Sequence, residues 1–503
     1  MRRKAVVGAT VAVLSLAATA CGTTLPDSAF TGATNAPVVS SQTGNQSTQP
    51  GLPSGVQPTG SNGIQTTTGT NGTAGSKGTS GRTISEGGSG PQQPGAGGGS
   101  CSGATWSGPG VAGNTVKIGE IVSGPANAFS PNQFIPSYYG ANSYFHYVDA
   151  QGGLCGKQVQ YIKCDDNGDR NQDVACAHQL IDQDKVFALV ATNVFDYAGA
   201  SYVSQTGTPD VGGEPITGDA YYSYPHLYSI LGSYYLNNGQ PPKEFWGLSG
   251  LGEFFKSHLH LSRVGIVFYA QATSQRGARY VEGWLTHAGV KVDDEQVPLA
   301  GDPSPQVQDM KNRGDQAVFV AVDLNGSQRI CQSMQNYQYD VPSVGLIAEW
   351  TDDFAQAIGR YDCAKNYYAW GQSTNYEDTS NPLVRTFQQA YASFAPGAPR
   401  GQWSLEGWVA GMFFADAVKS CARKGITRSC IESFVNTKTG YSAQGLIDPN
   451  TLFFPHWSNH PATAKQCYTI VKWSGGTSGS WSTVADHSNN CFTTPFFSYA
   501  TGG

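Results

Sequence analysis

Three stretches of this 503-residue chain carry residue types at spacings that could do chemistry. Asp165-Asp166-Asn167-Gly168-Asp169 gathers carboxylates in one turn, as a calcium loop does. A calcium loop of the EF-hand kind wants Gly at its sixth position and Glu at its twelfth; Arg170 and Cys176 stand there instead. The cluster reads as a turn and helix cap. Gly152-Gly153-Leu154-Cys155-Gly156-Lys157 is one spacer short of a phosphate-binding loop and has Gln158 where a hydroxyl would hold magnesium, so it reads as a helix-ending turn. Gly108-Pro109-Gly110-Val111-Ala112-Gly113 spells a dinucleotide fingerprint but precedes a strand instead of following one. The folded part has no GxSxG and no HExxH, and the nine His are scattered. A Ser–His–Asp triad needs no sequence adjacency, and nothing here singles one out. The expectation is a ligand-binding protein without catalytic residues, metal or cofactor.

The eleven cysteines bear on compartment. Arg2, Arg3 and Lys4 precede an apolar run from Ala5 to Ala18, then Ala18-Thr19-Ala20-Cys21. That order makes a secretory signal over residues 1–20, and the small residues before Cys21 resemble a bacterial lipobox. Cys21 is the expected lipidation site, giving an extracytoplasmic protein anchored to the cell membrane. The apolar run is short of the roughly 20 residues a membrane span needs. The ten other cysteines are an even set for an oxidising compartment. Local spacing suggests Cys164 with Cys176, Cys331 with Cys363, Cys421 with Cys430 and Cys467 with Cys491, which leaves Cys101 for Cys155; spacing alone leaves connectivity open. A loop the size of Cys164–Cys176 contributes roughly 3 kcal/mol by chain entropy. No CxxC pair or Cys/His cluster offers a metal site.

These residues need elements to position them. Residues 21–113, rich in Gly, Ser, Thr, Pro, Gln and Asn, bury too little surface to order themselves and read as a tether with a span on the order of 50 Å. From 114 onward, apolar strands alternate with helices. Strands are expected at Val116–Val122, Val159–Lys163, Phe187–Ala191, Pro209–Gly212, Val264–Tyr269, Val290–Val297, Ala317–Val322 and Ser343–Ile347. Helices are expected near 138–148, 171–183, 197–206, 276–288, 304–313, 326–338, 352–360, 380–394 and 403–420, with a turn- and strand-like tail from Tyr441. Such alternation predicts parallel sheets with helices on both faces. Net charge is −6 with no basic stripe, so nucleic acid is excluded as a partner. Aromatic residues make up 11%, including 25 Tyr and 10 Trp, enough for both core and an aromatic cleft.

Val116-Lys117-Ile118-Gly119, Ser123-Gly124-Pro125, the Gly152–Lys157 turn and Cys164-Asp165-Asp166 before helix 171–183 resemble the type I periplasmic-binding family, in particular the leucine/isoleucine/valine-type substrate-binding proteins of ABC transporters. Trp403-Ser404-Leu405-Glu406-Gly407-Trp408 and the closing stretch Cys467–Trp473 with Trp481 fit the same pattern, which covers about 114–500. The resemblance implies an α/β fold of two Rossmann-like lobes joined by a three-crossing hinge. Lobe 1 would hold 114–232 and 375–445, and lobe 2 would hold 233–374 and 446–503. It also implies a monomer that binds a small molecule, with an ABC permease as membrane partner. A sensory or scaffold lipoprotein of the same fold is the alternative, and a cell-envelope hydrolase a third.

Doubly wound sheets bind ligands beyond the carboxyl ends of their strands. The candidates are therefore Ser123, Phe129, Ser130, Thr192, Asn193, Glu214, Tyr269, Gln271, Asp323, Asn325, Glu349 and Trp350. Glu349 and Trp350, with Asn193 and Ser130 opposite, are expected to face one cleft. In amino-acid-binding relatives an acid after a second-lobe strand meets the ligand ammonium, which is the role the resemblance implies for Glu349, with Trp350 adding cation–π attraction. Those relatives offer Gly-Pro and then Ser or Thr after the third strand; this chain has Ala191-Thr192-Asn193-Val194-Phe195-Asp196. Asp196 would repel a carboxylate. The expected ligand is a small polar or aromatic molecule, amino-acid-like, amide or amine.

Overall fold

The computed structural model describes residues 101–125, 131–214, 219–231, 244–437, 440–450 and 462–500. The signal, Cys21 and most of the tether lie outside them, as do Phe129 and Ser130.

The first body begins with the short strand β1 (Val111–Ala112), antiparallel to β2 (Thr115–Val122). β3 (Gln158–Asp165), β4 (Ala188–Val190), β5 (Asp210–Gly213) and β6 (Leu227–Ser229) follow, and the parallel strands lie in the order β3-β2-β4-β5-β6. Between them run α1 (Pro136–Asp149), α2 (Arg170–His178), α3 (Ala200–Gln205) and α4 (Asp219–Ser223). β4 is apolar and fully buried, as a strand covered on both faces must be. The acidic turn caps α2: the Asn171 and Gln172 N–H groups donate to Asp169 Oδ1.

The second body repeats the plan. β7 (Glu244–Leu248) and α5 (Gly250–Leu259) lead into β8 (Arg263–Phe268), α6 (Ala272–His287), β9 (Lys291–Gln296), α7 (Ser304–Arg313), β10 (Val318–Ala321), α8 (Leu324–Asn336), β11 (Ser343–Val344), the short α9 (Phe354–Ala357) and β12 (Tyr367–Gly371). Parallel strands lie in the order β9-β8-β10-β11-β12. β14 (Thr469–Ser474) and β15 (Ser480–Ala485) extend this sheet antiparallel. A separate three-stranded sheet sets β16 (Cys491–Ala500) between β13 (Thr463–Cys467) and β7. Numbered from the first parallel strand, each body has the order 2-1-3-4-5, and each has a switch point where neighbouring connections run to opposite faces.

Three late helices return to the first body: α10 (Pro382–Phe394), α11 (Gln402–Cys421) and α12 (Arg428–Thr437). α11 packs against α1 so closely that a Cβ on Gly140 would lie 1.8 Å from the Ser404 carbonyl oxygen. Two passages between the bodies pair with each other. Thr374 N–H donates to Leu446 O, and Asp448 N–H donates to Gln372 O, each at 2.8 Å. The passage between Leu231 and Glu244 lies outside the described residues. Disulfides join Cys101–Cys155, Cys164–Cys176, Cys331–Cys363, Cys421–Cys430 and Cys467–Cys491. Among the described residues no helix is long and apolar enough to cross a membrane, and no His/Cys/Asp/Glu group is arranged to hold a metal ion.

The expected strands and helices lie within a few residues of their observed bounds, with three differences. The segment 352–360 holds only the four residues of α9. The strand at 343–347 stops at Val344 and passes into a single 3₁₀ turn, Ile347–Glu349. β1, α4, β6, β7, α5, β12 and α12 have no counterpart among the expected elements.

Candidate functional site

Both bodies contribute to one cleft of about 320 Å³, within the range of about 300–1,000 Å³ that suits small-molecule sites. The first body supplies aromatic rings. Phe134, just before α1, stacks on Trp403 of α11 at 5.5 Å and meets Phe195, beyond β4, edge-on at 6.4 Å. Tyr222 of α4 reaches the second body's Phe245 at 4.8 Å. The second body supplies rings and polar atoms: Tyr280 and Arg276 on α6, Trp370 at the end of β12, and Phe496 and Tyr499 on β16. Asn132 Nδ2 donates to Asp353 Oδ2 at 2.8 Å, a further contact between the bodies.

The lining is poor in charge. Among the described residues it holds one cation, Arg276, and one acid, Asp323. The Arg276 guanidinium lies over the Phe245 ring, 4.9 Å from its centroid. Asp323 Oδ1 is committed: it accepts from Tyr269 Oη at 2.6 Å and from the Gly326 N–H at 2.9 Å, capping α8. Gln133 Oε1, Gln271 Oε1, Trp370 Nε1 and Trp403 Nε1, also polar atoms of lining residues, have no hydrogen-bond partner among the described residues. All four atoms are buried, and a buried polar atom left without a partner costs about 1–3 kcal/mol. α6 begins in the same wall, with Gln271, Thr273 and Ser274 in the lining, no acid in its first turn and no side-chain cap. Such a helix start favours an electron-rich group nearby.

The structure places the expected site residues in two layers. Tyr269, Gln271 and Asp323 line the cleft. Ser123 and Asn193 are fully buried behind it and hold its rings: the Phe195 N–H donates to Ser123 Oγ at 3.0 Å, and Asn193 Nδ2 donates to the Phe134 carbonyl at 3.4 Å. Thr192 is buried, its carbonyl accepting from the Glu214 N–H. Glu214 is buried against Glu406. Burial pushes both carboxyls up, and the neighbouring Glu406 pushes Glu214 up further. Asn325 is exposed on the first turn of α8.

Glu349 and Trp350 are also set back from the cleft. Both are 0% exposed and neither lines it. Glu349 Oε1 accepts from Ser327 Oγ at 3.0 Å and Oε2 from the Leu346 N–H at 2.8 Å. Burial pushes its pKa up to about 8, leaving a neutral carboxyl at pH 7 and no counter-charge for an ammonium. The early end of β11 is the cause: the 3₁₀ turn folds this side chain under the wall. Asp196 forms an ion pair with Arg170 and is absent from the lining. Phe134, Trp403, Tyr280, Trp370, Arg276 and the β7/β16 wall are the lining residues that reasoning from strand ends missed. Abundant Tyr and Trp gave notice of an aromatic site without locating it.

The sequence matches the family model for periplasmic binding proteins over residues 115–478, and the chain belongs to that family of substrate-binding proteins, in its type I form. A Pseudomonas aeruginosa amino acid binding protein is 33% identical over 100 residues, a match spanning 17% of this chain and 26% of that relative. A fatty acid ABC transporter substrate-binding protein from Thermomonospora curvata superposes with a TM-score of 0.58 at 14% identity, over 77% of this chain and 96% of that one. A leucine binding protein from Thermotoga maritima gives 0.57 at 12%, over 75% and 100%. A solute binding protein from R. palustris in complex with benzoate gives 0.55 at 16%, over 76% and 97%. At these identities the structures share the fold.

Proposed function

We propose that this chain is a lipid-anchored extracytoplasmic receptor that captures a largely apolar small molecule bearing one acceptor-rich head, and presents it to an ABC permease. The cleft's composition carries the ligand class. Aromatic walls from both bodies suit an apolar body. Arg276, the start of α6 and the two indole N–H groups suit a carboxylate or similar head. An amino acid zwitterion is less well served: Glu349 is sealed and neutral, and Asp323 already accepts two hydrogen bonds. Benzoate and fatty acids, the compounds named for two of the similar structures, are apolar bodies with one carboxylate. Rigid-body closure of the two halves around such a ligand would give the permease a shape to read.

Calorimetry with benzoate, decanoate and leucine tests the reading. At least one of the two acids should bind more tightly than leucine, and Trp403→Ala should weaken that acid tenfold or more, about 1.4 kcal/mol. Leucine binding more tightly than both acids would overturn the ligand class. The anchor is tested separately: Cys21→Ala should release the protein into the medium, and retention at the membrane would count against it.

A further inference from the structure

One wall of the cleft is completed by a strand that the family match does not cover. The family match ends at residue 478, and β16 begins at Cys491. β16 lies antiparallel between β13 and β7, with Phe496 opposite Leu248 and Tyr499 opposite Phe245. All four of these residues line the cleft, as does Gln466 of β13. The strand is fixed from behind. Phe497 is 5% exposed, stacks on His287 at 4.6 Å, and fits against Gly283, where a Cβ would lie 2.1 Å from its ring. It is fixed at its start as well: Cys491 and Cys467 face each other in register and are joined by a disulfide. The wall also bears on the cleft's cation, since Arg276 stacks on Phe245.

We infer that β16, stapled through Cys467–Cys491, is the specificity wall of the cleft and limits how large an apolar body the ligand can carry. The inference rests on the proposed ligand class. A strand held by a sheet, a packed ring and a covalent tie is a rigid boundary, and a rigid boundary discriminates by size. Truncating Phe496 removes ring volume from that boundary while leaving backbone pairing, Phe497 and the disulfide in place.

The experiment measures affinities for benzoate and 2-naphthoate by calorimetry on wild type, Phe496→Ala, Phe492→Ala and Trp403→Ala. Phe492 shares the strand but does not line the cleft. Phe496→Ala should raise the naphthoate-to-benzoate affinity ratio at least fivefold. Phe492→Ala should leave that ratio within twofold of wild type, and Trp403→Ala should weaken both acids. A Phe496→Ala ratio within twofold of wild type, with Trp403→Ala still weakening both acids, overturns the wall and leaves the ligand class standing. An equal ratio change in Phe492→Ala also overturns it, because strand integrity would then be the cause. Wild type binding neither acid overturns the ligand class itself, and the inference with it.

Discussion

In the first body, residues after the parallel strands turn inward: Ser123 and Asn193 are fully buried, and their side chains hold the backbone of Phe195 and Phe134. In the second body, the residues after β8 and β10 stand in the cleft wall, with Tyr269, Gln271 and Asp323 all lining it. Both bodies have the 2-1-3-4-5 order and bring their switch points to the same cleft. Topology therefore fixes where a ligand can sit, and local sequence decides which layer touches it. The first body buries acids at Glu120, Asp166, Asp173, Asp210, Glu214 and Glu406, and this polar backing leaves rings as its face to the ligand. The second body buries fewer acids, Asp315, Asp323 and Glu349 among them, and leaves amide, indole and guanidinium groups in the wall.

The largest effect expected from this contrast is a pH dependence centred on Glu349. In the folded chain its carboxyl keeps a proton to about pH 8; exposed by unfolding it would ionise near its ordinary value of 4.5. Between those values the folded state binds the extra proton, so stability is full below about pH 4.5 and falls as pH rises to about 8. Glu349→Gln, which cannot ionise, should be more stable than wild type at pH 9 by up to about 4 kcal/mol, and the advantage should vanish by pH 4.5. Asp210 of the first body, pushed up to about 6 by burial although Tyr197 and Tyr221 donate to it, completes its loss at lower pH. Denaturant melts from pH 4.5 to 9 separate the two. An advantage for Glu349→Gln that does not grow with pH would sink the assignment.

Next in size are the helix contacts. A Cβ on Gly140 meets the Ser404 carbonyl oxygen at 1.8 Å, and one on Gly252 of α5 meets the Trp284 carbonyl oxygen at 2.0 Å. Alanine at either site forces backbone apart and should cost roughly 1–3 kcal/mol. The bodies should differ in the second readout. Gly140→Ala displaces the start of α11, where Trp403 sits, so benzoate affinity should fall with stability. Gly252→Ala meets α6 at Trp284, a turn beyond its last lining residue Tyr280, and should affect affinity less. Equal losses of affinity in both variants would break the distinction.

Much of the fold was legible in the sequence because apolar runs and helical spacing respond to burial, and burial is what the two sheets require. β2, β4, β8 and β10 are such runs. β7 and β16 were not legible as part of the site: Phe245–Leu248 and Phe496–Tyr499 pair across more than two hundred residues, and nothing local to either segment specifies the other. The rule that residues after strands line the cleft selected Tyr269, Gln271 and Asp323. It cannot say whether a buried serine touches ligand or holds the residue that does, because that depends on side-chain direction. Glu349 illustrates the limit: β11 stops at Val344, and one 3₁₀ turn puts the carboxyl behind the wall.

The smallest effect tests the layered arrangement most directly. Ser123 Oγ accepts from the Phe195 N–H at 3.0 Å, and its hydroxyl also helps stabilise the ionised form of Asp166, whose carboxyl burial otherwise pushes up. Ser123→Ala removes an acceptor from the Phe195 N–H and a donor from Asp166 without opening a cavity of consequence. The stability loss should be about 1 kcal/mol. Phe195 is then held less firmly, so affinity for benzoate should fall in step with stability, a few-fold and no more. Gln271 offers the opposite case, since it lines the cleft and its Oε1 has no partner among the described residues. Gln271→Ala should leave the melting transition close to wild type and change affinity alone. Calorimetry and urea melts on the two variants place each residue on a plot of affinity against stability. A Ser123→Ala point that loses affinity at unchanged stability would mean that the serine touches ligand, and that the first body's strand ends are used as the second body's are.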